Sequence, residues 1–339
     1  MFFLLDSVTT MPTIFEDMYN DLFYQLFDYL DAYDIYYSFF GLNKRFNDLA
    51  EHKPTLHANI TSKKFRDYYQ ILLPLIHLRL VALKFDELQL FIKIYYSFSK
   101  QFSRIRSLTL SNVIVDRLPL LKCILSLTLE LKSSSVHSTS YLFQILHSKL
   151  PLLKYLVITN NPIVYKIYKP TLYLHQYLET LAIDVGFCSD LFKLFSCLPN
   201  IRCLTLNVKS TLISADFQIE NPSIIIPTVK ILIVNDQPPG LIKVEHIKYV
   251  LKYFPDLKAF AFISYSIESI NGTKWEQILS TISTLTKFQL QVNVQQLKVE
   301  PNIIEIQSKF QTNYWHDKKW TNVKGDWYQQ QNCFTLRVY

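Results

Sequence analysis

The stretch that decides the fold is IRCLTL, which runs from Ile201 to Leu206. Its first, fourth and sixth positions are apolar. Alternate side chains of a strand share one face, so Leu204 and Leu206 are predicted to point together into a core. Ile201 is expected to turn inward from the preceding loop. A single strand of this length is too short to be stable alone, so the pattern predicts strands that stack on one another.

The same pattern occurs nine times, at intervals of 19 to 29 residues, and the copies begin at Leu80, Ile105, Ile124, Leu153, Leu178, Ile201, Val229, Leu257 and Leu285. Such intervals are typical of leucine-rich repeats. The array over residues 76–295 resembles that family in an irregular form. The family usually has an asparagine shortly after each strand, and here only Asn161 occupies that place.

Amphipathic stretches separate the strand motifs and predict helices at Glu87–Phe98, Ser140–Leu146, Ser189–Phe195, His246–Phe254 and Lys274–Ile282. Several of these stretches are followed by an apolar–proline pair, namely Leu150-Pro151, Leu198-Pro199, Ile226-Pro227 and Phe254-Pro255. Proline ends a helix and keeps the residue before it extended. The predicted class is α/β, an irregular solenoid with parallel strands and outer helices. The alternative is an amphipathic α/β array that does not close into a solenoid.

Charge is distributed unevenly along the 339 residues. The chain has a net charge of +7, yet residues 1–60 hold nine acidic and three basic side chains, which leaves +13 for residues 61–339. Such asymmetry favours two parts with different partners. Only five glycines occur, at well separated positions, so a glycine-rich phosphate loop is excluded.

The acidic region contains FEDMYNDLFYQLFDYLDAYDIYYSFFGLNKRFNDL, from Phe15 to Leu49. Residues 11–55 resemble an F-box, a short helical module. Met18-Tyr19 stands where that family has Leu-Pro, and Asp21 stands where it has glutamate. Apolar residues at helical spacing follow, then a turn with Asp31 and Asp34, at which an aspartate can cap the next helix. The family's basic–aromatic ending is matched by Leu42, Lys44, Arg45, Phe46 and Leu49.

The F-box resemblance implies binding to a Skp-type adaptor, which joins the protein to a cullin ubiquitin ligase. The residues that would contact the adaptor are Met18, Tyr19, Leu22, Leu26, Phe27 and Leu30. The alternative is that these side chains form the core of an N-terminal cap on the repeats. A linker helix is predicted over residues 56–75, between this module and the array.

A protein client is expected to bind the solvent-facing side of the strands. The residues assigned to this face are Lys84, Thr109, Thr128, Tyr155, Val157, Thr205 and Ile233. The columns of outward residues are mostly small and neutral, whereas a face for phosphates should carry rows of Arg and Lys. The pattern therefore favours a protein client over nucleic acid. The alternative is that this face binds no partner and that clients bind the loops.

The C-terminal residues 296–339 are rich in aromatic side chains and are predicted to cap the last repeat. Aromatic residues interleaved with lysines could also stack on nucleic-acid bases, and this reading stays open.

The sequence contains no recognisable catalytic constellation, metal-ligand spacing or cofactor motif, so the protein is expected to be a non-catalytic adaptor. The five cysteines include no C-x-x-C pair, and the N-terminus is a poor signal peptide. A cytoplasmic or nuclear location without a membrane segment follows as an expectation. Two other functions remain open, a non-ligase interaction scaffold with a decayed F-box and a basic solenoid that binds nucleic acid.

Overall fold

The computed structural model describes residues 18–98, 104–114, 118–119, 122–131, 148–159, 176–185, 199–208, 226–238, 242–294, 302–320, 323–328 and 333–338. The chain divides into two compact units, residues 1–109 and residues 110–339. Each unit has its own elements. The division falls within a strand, Ser107–Val113.

The first unit begins with three short helices, α1 (Asn20–Asp28), α2 (Ala32–Phe39) and α3 (Lys44–His52). They are followed by β1 (Leu56–Ile60), α4 (Phe65–Asp67), a π-helical turn (Tyr68–Leu72), α5 (Leu73–Ile76), β2 (Leu80–Phe85), α6 (Leu88–Phe98) and the start of β3 (Ser107–Val113). Strands β1 and β2 pair in parallel.

The expected linker helix over residues 56–75 is wrong in its first part, because residues 56–60 form β1. Leu56, Ala58 and Ile60 alternate with more exposed residues and are buried. This period of two places one face of β1 on the core, and the parallel pairing with β2 satisfies its backbone. The helical part of the segment begins at Phe65.

The second unit is a row of parallel strands. They are β4 (Ser126–Leu131), β5 (Tyr155–Thr159), β6 (Thr180–Val185), β7 (Cys203–Val208), β8 (Ile231–Asp236), β9 (Ala259–Ser264) and β10 (Lys287–Val294). Each pairs in parallel with the next, and equivalent positions of the sequence motif are in register. The protein is therefore a mixed α/β fold with a parallel sheet.

The nine strand motifs are confirmed as nine strands, β2 to β10. The first, fourth and sixth residues of every copy are buried. From β3 onward each strand begins at the third residue of its motif, so the first residue enters the core from the preceding loop, as expected. The apolar spacing is thus explained by one buried face per strand.

Helices follow strands where the structure describes the intervening chain. The predicted helix at Glu87–Phe98 is confirmed as α6, and those at His246–Phe254 and Lys274–Ile282 are found, shifted, as α7 (Val244–Leu251) and α8 (Gly272–Leu279). The helices predicted at Ser140–Leu146 and Ser189–Phe195 lie outside the described residues, as does Asn161.

A polar ladder crosses three strands of the second unit. Asn235 Nδ2 donates to Asn207 Oδ1 at 2.7 Å, and Asn207 Nδ2 donates to Asp184 Oδ1 at 2.9 Å. These residues directly follow the sixth motif position in β8, β7 and β6. Side-chain hydrogen bonds between equivalent positions thus add to the backbone pairing across β6, β7 and β8.

The C-terminal segment contains α9 (Ile303–Ser308), α10 (Asn313–Lys318) and the antiparallel pair β11 (Val323–Tyr328) and β12 (Cys333–Val338). Strand β12 pairs antiparallel with β10. Trp315 and Trp320 are buried, with ring centroids 5.8 and 5.7 Å from that of Phe288 in β10. The segment therefore covers the edge of β10 and part of its core face, at the place where a cap was predicted.

No helix among the residues described here combines the length and the apolar character needed to cross a membrane.

Candidate protein-docking surfaces

Helix α1 and its flanking residues carry apolar side chains on two faces. Phe23 and Phe27 are buried in the module. Tyr19, Leu22 and Tyr29 are 81 %, 42 % and 88 % exposed, and Leu26 is half-buried. Successive members of the set Tyr19, Leu22, Leu26 and Tyr29 are three or four residues apart, which places them along one side of a helix. We call these four side chains the α1 stripe. It is an apolar helix face exposed within the first unit.

The inner face of α1 closes a core of four phenylalanines. The ring centroid of Phe23 lies 5.0 Å from that of Phe46 and 6.4 Å from that of Phe39, and Phe27 lies 5.0 Å from Phe39. Such tilted and edge-on aromatic contacts are favourable beyond area burial. The module therefore has its own core, and the α1 stripe is additional to it.

Phe27 was assigned to the adaptor-contacting set, and the structure corrects that assignment. Its side chain is 1 % exposed and packs on Phe23 and Phe39, so it has no surface to offer a partner. Leu30 lies beyond the end of α1 at Asp28 and is half-buried. The exposed apolar side consists instead of the α1 stripe, in which Tyr29 was missed by sequence reasoning.

Side-chain caps fix the starts of the next two helices. Asp31 Oδ1 accepts a hydrogen bond from the backbone N–H of Asp34 at 2.8 Å, which confirms the predicted cap of α2. Asn43 Oδ1 accepts from the N–H of Phe46 at 3.0 Å and caps α3. Because each cap satisfies an N–H group that the helix leaves unpaired, the turns between the three helices are specified locally.

Two basic residues join α1 to α3 and to the chain that follows α3. Arg45 Nε donates to Asn20 Oδ1 at 2.9 Å, its Nη2 donates to the carbonyl oxygen of Met18, and its guanidinium lies 5.4 Å from the ring centroid of Phe23. Buried Lys53 forms an ion pair with Asp28 at 2.6 Å. The half-buried Met18 is thus held through its backbone. Residues of the basic–aromatic ending serve to position α1.

Exposed aromatic and aliphatic side chains continue beyond α1. Tyr37, Phe40 and Leu42 are all exposed, and they lie on α2 or in the turn after it. Tyr37 stacks on Tyr33 with a centroid distance of 4.1 Å, and Phe40 stacks on Tyr36 at 5.1 Å. The three-helix module therefore exposes several large apolar side chains, as surfaces that bind protein partners do.

A partly buried polar cluster secures α2 within the first unit. The N–H of Tyr33 donates to the hydroxyl oxygen of Tyr68 at 3.1 Å, and Lys64 Nζ lies 3.3 Å from Asp34 Oδ1 and 3.7 Å from Asp31 Oδ2. Burial raises the pKa of the Asp31 carboxyl and of the Tyr68 hydroxyl. These contacts join α2 to the segment that follows β1.

The outward residues of the second unit form registered columns, as the sequence predicts. Thr128 is paired with Val157, and Thr205 with Ile233, in the column between the two inward positions. Tyr155 is exposed, whereas Thr128, Val157, Thr205 and Ile233 are half-buried. In the first unit Lys84 is exposed and Thr109 is half-buried. Most of these seven side chains are small or aliphatic, and Lys84 and Tyr155 are the two that are exposed.

Groups for chemistry are sparse in the described part of the chain. No cluster of three or more His, Cys, Asp or Glu side chains there could hold a metal ion. Cys123 and Cys203 are free thiols, both half-buried, and burial raises the pKa of the Cys203 thiol. A raised pKa disfavours the thiolate, which is the nucleophilic form.

A scan against models of known protein families finds no match, and a search of curated protein sequences finds no similar protein.

Proposed function

We propose that this protein is a substrate-recruiting subunit of a Skp–cullin–F-box type ubiquitin ligase. In this proposal the three-helix module binds a Skp-type adaptor, and the strand face of the repeats holds a protein client. The protein itself performs no chemistry; it brings the client close to the ligase. We also propose that the parallel α/β fold is an array of irregular leucine-rich repeats.

The observation that carries the proposal is the α1 stripe. A helix whose inner phenylalanines already close a core has no need of four further apolar residues for its own stability. Full burial of an exposed leucine contributes about 1.5–3 kcal/mol, and Leu22 and Leu26, which are partly exposed, would each contribute part of that on docking. The contact of Arg45 with the start of α1, and the caps of α2 by Asp31 and of α3 by Asn43, support the same reading, because they fix the three helices of the module.

The proposal is tested by co-purification of the full chain with a purified Skp-type adaptor. We expect the wild-type protein to elute with the adaptor, and Leu22→Asp with Leu26→Asp to elute alone. The two aspartates would place charge in the middle of an apolar contact.

Gln25→Asp is the matched control. Gln25 lies exposed on the same helix and outside the stripe, so this variant should still elute with the adaptor. Circular dichroism would establish that all variants are folded. A wild-type chain that does not bind, or a doubly charged variant that still binds, would refute the adaptor assignment.

A further inference from the structure

The second unit contains a groove along the first residues of its last parallel strands, β8, β9 and β10. Its volume is about 580 Å³. Its apolar lining comes from Ile231 and Ile233 of β8 and from Ala259 and Ala261 of β9. Trp320, shortly after the end of α10, also lines the groove. Ile231 is exposed, and the other three strand residues are half-buried. The groove therefore offers an apolar floor within reach of solvent.

Three lysines line the same groove, namely Lys287, Lys318 and Lys319. Lys318 Nζ donates to the carbonyl oxygen of Leu285 at 3.3 Å and lies 5.7 Å from the ring centroid of Trp320. Lys287 and Lys319 are exposed. Within the described residues, no ion pair involves these lysines and no acidic side chain lines the groove. An apolar floor with an unneutralised positive lining is complementary to an acidic partner that carries an apolar anchor.

The backbone of these strands does not take part in such recognition. Strand β9 pairs with β8 on one side and β10 on the other, so its ladder has no open edge. A partner must therefore be recognised by side chains on the face of the sheet. It cannot bind by adding a strand beside β9.

The residues of the groove favour a peptide over nucleic acid. Trp320 is only 4 % exposed, so its ring face is not available for stacking on a base. The cations are lysines, which act as point charges, whereas arginine forks match phosphate bidentately. The carboxylates of a flexible acidic peptide can pair with lysines and need no ring for stacking.

We propose that this groove binds an acidic segment of a protein client, with an aliphatic or aromatic side chain on the β8–β9 floor and flanking Asp or Glu side chains at Lys287, Lys318 and Lys319. This inference deepens the proposed function, and it rests on that function only in identifying the bound protein as a client of a ligase. The binding itself can be measured without any adaptor.

The test uses the full chain and a fluorescent peptide with a Leu-Phe pair between runs of glutamate. We expect binding that weakens as salt is added, because salt screens the exposed lysines. Peptides with glycines in place of Leu-Phe, or with lysines in place of the glutamates, should bind at least about tenfold more weakly.

Two charge-reversed variants provide the structural control. Lys287→Glu with Lys319→Glu should lower the affinity for the acidic peptide by about tenfold or more. Lys248→Glu with Lys252→Glu makes the same change of net charge on two exposed residues, one in α7 and one directly after it, that do not line the groove. This variant should bind as the wild type does. Urea unfolding of both variants would show that the fold is retained.

Several outcomes would overturn the inference. They are absence of binding, equal binding of the lysine-flanked peptide, an unchanged affinity in the groove variant, or a preference for a phosphoserine peptide or for single-stranded RNA. If the wild-type chain binds the adaptor but not the peptide, only the groove proposal is refuted. If it binds the peptide but not the adaptor, only the ligase proposal is refuted.

Discussion

In the proposed F-box reading Tyr19 stands where that family has proline, and the backbone angles of Tyr19 are ones that proline adopts. Its φ is −63° and its ψ is 147°, just before the first helical residue of α1. Proline fixes φ near this value and is tolerated at the start of a helix. The Tyr19 side chain is exposed, so little packing depends on it. The backbone at residue 19 is therefore one that could accommodate a proline.

Tyr19→Pro should leave the free energy of unfolding unchanged or raise it by about 0.4–1 kcal/mol, because the substitution restricts the unfolded chain. Urea unfolding followed by circular dichroism measures this change, with Tyr19→Ala as the control that removes the ring and leaves φ free. A clear loss of stability specific to the proline variant would show that the backbone at residue 19 differs from this description.

Gly272 at the start of α8 is buried where the backbone of Lys309 approaches it. A methyl group at this position would overlap the carbonyl oxygen of Lys309 and lie 3.1 Å from the ring of Phe310. Gly272→Ala should therefore lower the free energy of unfolding by about 1–3 kcal/mol through overpacking. Thr273→Ala, at an exposed site in the same helix, should have little effect in the same urea titration. Equal stability of the two variants would contradict this close approach.

Helix α1 shows why a correct periodicity can still assign a wrong face. Positions 22, 26, 27 and 30 lie on one side of an ideal helix, and the sequence offered them as one stripe. The helix ends at Asp28, and the two phenylalanines on it take the inner side because large rings bury the most area. The apolar residues left outside are those of the α1 stripe. Spacing alone does not show which of two overlapping apolar faces packs into the core and which is exposed.

The strands were predictable because one motif is repeated with the same three buried positions. Strand β1 was missed because LHANI lacks the apolar residue that begins each motif three positions ahead of the inward pair. The alternation of apolar and polar residues in LHANI is nevertheless present in the sequence and is typical of a strand. The ladder of Asp184, Asn207 and Asn235 was likewise visible only as a column of polar residues, since hydrogen bonds between repeats require their register.

His246, in the first turn of α7, predicts a pH dependence of stability. The N–H of Lys243 donates to His246 Nδ1 at 3.2 Å, which requires that nitrogen to be unprotonated. Burial, followed by repulsion from Lys243, lowers the pKa of His246 below its usual value of 6.5, and Glu245 opposes that shift. Since the unfolded state binds the proton first, this contribution is present above about pH 6.5 and is lost as the pH falls towards the folded-state pKa.

The measurement is the free energy of unfolding between about pH 7 and about pH 5 in the wild type and in His246→Gln. The wild type should lose more stability over this range than the variant, because glutamine does not titrate and can still accept a hydrogen bond near the helix start. Parallel pH profiles for the two proteins would show that His246 makes no such contribution.

At the scale of the whole chain, the sequence predicted the class of fold. The acidic N-terminal region suggests a module that ends near residue 55, and the compact unit that contains this region extends further, to residue 109. Strand β1 accounts for the difference, since it follows α3 directly and pairs with β2. Charge and composition report which side chains are near in sequence, but compactness depends on pairings that only the fold brings together.

The groove was beyond sequence reasoning for the same reason. Ile233 had been assigned to the client face, but the lysines that line the groove beside it come from the start of β10 and from the end of α10. The columns of outward strand residues contain few basic side chains, and Lys318 and Lys319 belong to the C-terminal segment. Their proximity to β8 and β9 depends on how α10 packs near Phe288 of β10.

The central claim is that the α1 stripe is a docking surface for a Skp-type adaptor, and calorimetric titration of the purified adaptor into the full chain tests it most directly. We predict binding with a negative change in heat capacity, the mark of apolar burial. We predict an affinity at least about tenfold lower for Leu22→Asp with Tyr29→Asp, and an unchanged affinity for Gln25→Asp. Absence of binding heat at every one of several temperatures in the wild type, or equal affinities for all three proteins, would contradict the account.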